Sequence, residues 1–346
     1  MVSAIIPARN EEASIARTVE SVAAQPEVEE VIVVDDGSTD ATPRILSELA
    51  TRLAKLRVIP ADSLPSGWVG KNHAAAVGAA AAKGDWLLFT DADTFHLPGA
   101  MRRALADAAE HGAALVSYSP EQEMETWWER ALIPFVYCRL AARFSFERVS
   151  DPTLPDAAAN GQLILVRREV YEKLGGHQAV RGEILEDVAL ARLVKAANCG
   201  VYFTAPAGVV RTRMYRSFGA MWEGWTKNLF LLIGGTTAAA FKELATITPV
   251  LGTLLIVWFV WFGWRAGQVD WGWAVAMGVL MLSFRVARYG RDLHENRYPL
   301  RFIQYYVPAV GLYSLILIVS WWKNFRGQVV WKGRGYPAGF RARSGT

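Results

Sequence analysis

The chain is 346 residues long, 52% apolar and 20% charged, with a formal net charge of +4. That length allows one large domain or two ordinary ones, and the modest positive charge, gathered beside hydrophobic runs, points to a membrane surface and away from nucleic acid. The two cysteines, Cys138 and Cys199, have no CxxC spacing, which argues against a disulfide framework or a cysteine zinc site and suits the cytosol.

Up to about residue 243 short apolar runs alternate with amphipathic stretches. Met1 leads straight into the first run, so no cleavable leader is expected. Val2 to Ile6 and Val31 to Val34 are β-branched runs, each followed by a polar loop and a helical pattern, over Glu12 to Ala24 and Ala41 to Leu53. Leu56 to Ile59 predicts a third strand, Asn72 to Ala82 an Ala-rich helix, and Trp86 to Phe89 a fourth strand ending at Thr90-Asp91-Ala92-Asp93. Further strands are expected at Leu115 to Ser117 and Leu163 to Val166. Between them, around 124–146 and with Pro134 inside, lies a predicted pair of interfacial helices. A last helix is expected from Glu186 to about Ala197. The alternation predicts an α/β fold with a mostly parallel sheet, whose ligands bind beyond the carboxyl ends of the strands.

Beyond Leu244 the composition changes. Leu244 to Trp264 and Phe302 to Trp322 are each 21 residues without a charge, long enough to cross a hydrocarbon core of about 30 Å. Trp271 to Phe284 has 14 such residues and spans if Arg285 and Arg288 snorkel. Asn228 to Phe241, with Gly234 and Gly235, is expected in the interface or against the preceding domain. Tryptophans edge these runs, and basic residues cluster at Arg285 to Arg301 and from Lys323 to Arg343. The expected division is therefore a domain over 1–228 and a membrane region over 229–346, with spans at 244–264, 271–288 and 302–322 and a basic tail. Three crossings keep the Arg285 to Arg301 loop inside but send the basic tail outside, so an even number of crossings stays open.

Three polar loops follow predicted strands, Pro7 to Glu12, Asp35 to Asp40 and Asp91 to Asp93, and are expected to open on one crevice. Asp91-Ala92-Asp93 puts two carboxylates at a strand end, which suits a divalent cation bridging to a diphosphate; a solvated turn or helix cap is the plainer reading. In Asp35-Asp36-Gly37-Ser38-Thr39-Asp40 a carboxylate can accept from a base N–H, while some of these residues must cap the helix that follows. Lys71 closes Pro65-Ser66-Gly67-Trp68-Val69-Gly70 and opens a helix, so a cation and free N–H groups meet where a phosphate would bind. Glu186 and Asp187 begin another helix, either as acids favoured by its dipole or as a base for an acceptor hydroxyl. Arg211, Arg213, Arg216 and the Trp222 to Asn228 stretch can clamp a pyrophosphate or bind lipid headgroups.

With its loops in this order, the sequence resembles family 2 glycosyltransferases, in the membrane-associated branch that includes hopanoid-associated and carotenoid (diaponeurosporenoate-type) enzymes. Ile5-Ile6-Pro7-Ala8-Arg9-Asn10-Glu11-Glu12 is similar to that family's first-strand signature, Val34 to Asp40 to its nucleoside-binding signature and Asp91-Ala92-Asp93 to its metal motif. Gly67-Trp68-Val69-Gly70-Lys71 is similar to the branch's Gly-Trp-x-Gly-Lys loop. Asn160-Gly161-Gln162, Gly175-Gly176-His177 and Glu186-Asp187 match its acceptor-side and Glu-Asp motifs. The family's Gln-x-x-Arg-Trp is absent, and Trp222 to Asn228 stands in its place.

The resemblance implies a GT-A-type fold followed by C-terminal transmembrane helices, and an inverting transfer of a sugar from a nucleotide-diphosphate donor, a UDP-sugar first, to a hydroxyl or carboxyl of a lipid. It makes Asp187, beside Glu186, the catalytic base. It puts Pro7, Ala8, Arg9, Glu11, Asp36, Lys71, Asp91 and, by position, Lys227 on the donor side, and Gly161, Gly176, His177 and Trp225 on the acceptor side. Asp93 and Asp91 would hold a divalent cation, Mg2+ or Mn2+. The expected partners are the nucleotide sugar, the lipid acceptor and the bilayer, with a multi-pass chain in the cell membrane and its catalytic domain on the cytoplasmic side. Two alternatives are a nucleotidyltransferase, for which no Gly-rich, basic first loop is present, and a non-catalytic membrane scaffold with a degenerate sugar-nucleotide domain.

Overall fold

Alternation along the first two strands decides which face each residue packs on. In β1 (Val2–Ala8) Ala4 and Ile6 enter one core and Ile5 the other, and in β2 (Val28–Asp35) Val31 and Val33 part in the same way from Ile32 and Val34. The computed structural model describes residues 1–205, 208–247, 263, 265, 271–326, 329–331 and 334–336. Around these strands lies a seven-stranded sheet in the order β3-β2-β1-β4-β8-β6-β9, with β3 (Leu56–Pro60), β4 (Trp86–Phe89), β6 (Ala113–Tyr118), β8 (Ile164–Arg167) and β9 (Gly200–Thr204). β1 to β4 run parallel, β8 is antiparallel to both β4 and β6, and β9 is parallel to β6. The sheet is mostly parallel, as expected. The reversed β8 was not foreseen, because a strand buried on both faces reads alike in either direction.

Helices α1 (Ile15–Ala23), α2 (Thr42–Ala50) and α4 (Ala100–Glu110) cover one face, while α3 (Gly70–Ala81) and α9 (Glu186–Ala196) cover the other. Two short helices, α7 (Arg168–Lys173) and α8 (Gly176–Ala179), follow β8. A second, three-stranded sheet pairs β10 (Val210–Thr212) antiparallel with β5 (Thr94–His96) and parallel with β7 (Glu121–Gln122). This topology decides what meets at one edge. α3 and α9 each descend before a strand of the parallel set, so their N-termini lie at its carboxyl edge, and β8, being reversed, starts there. Lys71, Asp91, Asn160 to Gln162, Glu186 and Asp187 are thereby delivered to one place.

The described residues of Met1–Glu123 and Phe144–Ser217, with the hairpin Val329–Trp331 and Arg334–Tyr336, form one compact unit. Those of Met124–Arg143 and Phe218–Gln328 form another. In the second unit, α5 (Trp127–Arg143) is one 17-residue helix running through Pro134, where a helix pair was expected. The proline removes one backbone donor, but Leu132, Ile133, Phe135 and Val136 around it are all buried and hold the helix together. A short α6 (Phe146–Ser150) follows in the first unit. Helices α10 (Phe218–Leu232) and α11 (Thr237–Ile247) bend by 108°. The break falls at Gly234 and Gly235, whose φ of 116° and 65° lie where other residues are strained.

Helix Trp271–Glu295 and helix Tyr306–Arg326, led in by a 3₁₀ turn at Leu300–Tyr305, follow among the described residues of the unit. Arg139 forms a two-pronged ion pair with Glu243 at 2.8 Å, and Tyr313 Oη donates to the same carboxylate at 2.9 Å, tying α5, α11 and the last helix together. Among the described residues one helix, Leu300–Arg326, is long and apolar enough to cross a membrane, or two segments if the bent pair is one span. The span expected at 271–288 is helical but not apolar enough to join it, because Arg285 and Arg288 fall within it. Beyond Ile247, the span expected at 244–264 lies almost wholly outside the described residues. Of the three expected spans, the one at 302–322 falls on a helix apolar enough to cross among the described residues, and the bent pair lies outside that set.

Candidate active site

The loops after β1 and β2 are bonded to one another, so neither is free to wander. Asn10, at φ 54°, donates its N–H to Ser38 Oγ at 2.9 Å and accepts from Thr39 N–H at 2.8 Å. Glu11 N–H donates to Thr42 Oγ1 at 2.8 Å, and Arg9 reaches the backbone carbonyls of Asp36 and Gly37. Pro7 and Ala8 end β1, and Asp36 N–H donates to Ala8 O at 2.8 Å. Ala41 is the N-cap of α2, and Asp40 just before it accepts from Thr42 N–H at 2.9 Å, while the buried Asp36 lies outside that start.

At the same edge, Lys71 links two acids. Its Nζ lies 2.6 Å from Asp91 Oδ1 and 2.7 Å from Glu186 Oε1. Asp187 Oδ2 accepts the Gly161 N–H at 3.0 Å, and Oδ1 accepts Val188 N–H at 2.8 Å. A methyl at Gly161 would lie 2.8 Å from Lys71 Nζ, so the ammonium would have to move, and in ordinary contact with Glu186 Oε1 and Asp187 Oδ2 at 3.5 and 3.6 Å. Burial opposes the charge on Lys71, but Asp91, Glu186 and Asp187 outweigh it and hold the ammonium well above its ordinary pKa. Burial, with Glu186 alongside, pushes Asp187 up to about 7, against the pull of Lys71 and two backbone N–H groups. Such a carboxylate can take a proton near neutral pH.

Asn72, which the sequence reading passed over, fixes this geometry. Fully buried, its Nδ2 lies 2.9 Å from Val180 O, 3.2 Å from Arg181 O and 2.9 Å from Glu183 O, tying the start of α3 to the loop that leads into α9. The clue was a poor helix former set directly after the lysine. Gly176 and His177 sit behind the site. A methyl on Gly176, at φ 48°, would collide with the Tyr171 ring, and His177 is buried against Phe89 with its Nδ1 2.9 Å from Tyr171 Oη. Burial lowers His177 to about 3, with Lys71 adding to the effect, so it stays neutral.

Three threonines hold the loop of the paired acids. The carbonyl of Asp91 accepts from Thr94 Oγ1 at 2.7 Å, that of Ala92 from Thr18 Oγ1 at 2.8 Å and that of Asp93 from Thr212 Oγ1 at 3.1 Å. All three threonines are buried, and they come from β5, α1 and β10. His96 Nε2 and Thr94 Oγ1 both lie against Thr90 Oγ1, at 3.0 and 2.8 Å, completing the support. Single threonines far apart in sequence carry no pattern that reading the chain could have found.

Asp91 and Asp93 offer hard carboxylate oxygens that fit Mg2+ or Mn2+. No group of three or more His, Cys, Asp or Glu able to hold a metal occurs among the described residues. Two carboxylates, with phosphate oxygens and water filling the rest, is the usual set for Mg2+ beside a diphosphate. Of the remaining predicted residues, Trp225 and Lys227 lie on α10 in the second unit, where Trp225 is buried edge-on to Tyr137.

Known proteins resemble this chain in sequence and in fold. A family model described as glycosyl transferase family 2 matches residues 3–175. The 4,4'-diaponeurosporenoate glycosyltransferase of Staphylococcus aureus (strain USA300) is 29% identical over 341 residues, covering 96% of this chain and 87% of that protein. Among solved structures, the mannosyltransferase PcManGT from Pyrobaculum calidifontis, in complex with GDP-Man and Mn2+, superposes with a TM-score of 0.52 at 18% identity, over 94% of this chain and 86% of that one. The fold is thus GT-A-like.

Proposed function

The chain belongs to glycosyl transferase family 2 and is a glycosyltransferase, and from that premise we propose an inverting, metal-assisted transfer from a nucleotide-diphosphate sugar to a lipid acceptor. One observation carries the reading: Lys71 joins Asp91 to Glu186, so donor-side and acceptor-side motifs share one charge cluster with Asp187 beside it. The donor, a UDP-sugar first, lies across the loops of Pro7, Ala8, Arg9, Glu11 and Asp36. Asp187 takes the proton of the acceptor hydroxyl as its oxygen bonds to the anomeric carbon, and the bond from that carbon to the diphosphate oxygen breaks. Lys71 turns from its carboxylates to the departing diphosphate. When bound by Asp93 and Asp91, a divalent cation supplies further positive charge there. Positioning and electrostatics supply most of the acceleration.

Residues 1–228 are the catalytic domain in this reading and 229–346 the membrane region, with spans near 244–264 and 302–322, a third at 271–288 only with Arg285 and Arg288 snorkelling to the headgroups, and the catalytic domain facing the cytoplasm. The lipid acceptor rests on the carotenoid acceptor in the relative's name and on the apolar helix Leu300–Arg326. Asp93→Ala tests the donor half: nucleotide affinity should fall at least about tenfold, and a chelator should weaken the native enzyme equally but the variant no further. Nucleotide binding indifferent to both would overturn the metal role.

A further inference from the structure

A cavity of about 220 Å³ in the second unit is lined by Arg130, Arg301, Phe302, Gln304 and Tyr305. Four of these five side chains donate hydrogen bonds and none is acidic. Neither guanidinium has an acidic partner among the described residues, whereas Arg17, Arg103, Arg139, Arg148 and Arg211 are all paired. Glu129, next to Arg130, is turned away and accepts from the N–H groups of Glu125 and Thr126 and from Thr126 Oγ1. Such a pocket selects an anion with several acceptor oxygens. Its volume is below the roughly 300–1,000 Å³ of sites for drug-sized ligands, so it suits a phosphate with its ester arms and not a nucleotide sugar.

Its setting indicates where that phosphate comes from. Arg301 lies in the 3₁₀ turn that opens Leu300–Arg326, the helix apolar enough to cross a membrane. Arg130 stands one turn after Trp127 on α5, and Trp127 and Leu300 are 55% and 54% exposed. An aromatic ring, an aliphatic side chain and two guanidiniums at the foot of an apolar helix are the elements of an interfacial anchor. We propose that this pocket binds the phosphate of an anionic phospholipid headgroup and fixes α5 and the foot of the apolar helix at the membrane surface. The inference rests on the membrane reading above.

The test uses the full chain in detergent, titrated with dihexanoylphosphatidylglycerol, dihexanoylphosphatidylcholine or inorganic phosphate, with Trp fluorescence and the thermal midpoint as readouts. Phosphatidylglycerol should bind best, and Arg130→Gln with Arg301→Gln should weaken it at least about tenfold while leaving donor hydrolysis unchanged. Should that pair fail to fold, Gln304→Leu, which removes one donor only, should still weaken binding severalfold. Equal binding by a folded variant would overturn the inference, and so would inorganic phosphate binding as tightly as the lipid. If the native chain stays soluble without detergent and binds no lipid, the membrane reading falls first. If it needs detergent but the variants bind normally, the pocket alone is wrong.

Discussion

Replacing Asp187 by Asn should make the protein more stable and inactive, in a way that depends on pH. The carboxyl is raised from 3.8 to about 7 in the folded chain, chiefly by burial and then by Glu186. Its proton is therefore held more tightly folded than unfolded, so the group costs nothing below about pH 3.8, and the cost grows to its full size by about pH 7. At ~1.4 kcal/mol per tenfold change in proton affinity the full cost is ~4 kcal/mol. The side chain keeps some solvent contact and its charge is shared with Glu186 and Lys71, so ~2 kcal/mol is the expected observable. Asn keeps the size of the side chain and an acceptor for the Gly161 N–H but gives up the one for the Val188 N–H, which trims the gain. Chemical denaturation of both proteins in metal-free detergent buffer should show the variant ahead by ~2 kcal/mol at pH 8 and by ~1 kcal/mol or less at pH 5. Sugar transfer should vanish while nucleotide affinity stays within about threefold, because the residue acts on the acceptor. An advantage that is absent at pH 8, or larger at pH 5, would refute the electrostatic argument, and undiminished transfer would refute the base.

Thr18→Val removes the hydroxyl that holds the Ala92 carbonyl and should cost about 1 kcal/mol of stability. It should also raise the Mn2+ concentration needed for half-maximal nucleotide binding severalfold, with Thr18→Ser restoring the native value. Gly78→Ala should cost about 1–3 kcal/mol without altering nucleotide affinity, because its methyl would collide with Ile5 Cγ2 and lie 3.2 Å from Val34 Cγ2 where α3 packs on the sheet. A variant as stable as the native protein would show that α3 has slack there.

Periodicity and punctuation alone were enough to read the first strands and helices. Val2 to Ile6 grew only to Val2–Ala8, and Trp86 to Phe89 kept its bounds, because β-branched and apolar runs that end in polar loops leave the backbone few other ways to bury them. The ordered motifs also carried the family, since loops after parallel strands must open on one edge wherever the chain goes between them. Tertiary structure decided the rest. The reversal of β8, which delivers Gly161 to Asp187, depends on pairing with β4 and β6, and strand direction leaves no trace in a fully buried run. The bond from Lys71 to both Asp91 and Glu186 joins residues 20 and 115 positions apart, a meeting that only the packed helices and sheet create. Thr18, Thr94 and Thr212 became a cradle for the same reason. Each is ordinary in its own stretch of chain and acquires its partner only when distant segments close on one another, so local sequence has nothing in it to mark them. Arg301 stood out in the sequence as one of a basic cluster, but its meeting with Arg130 in a pocket needed α5 and the 3₁₀ turn to pack together.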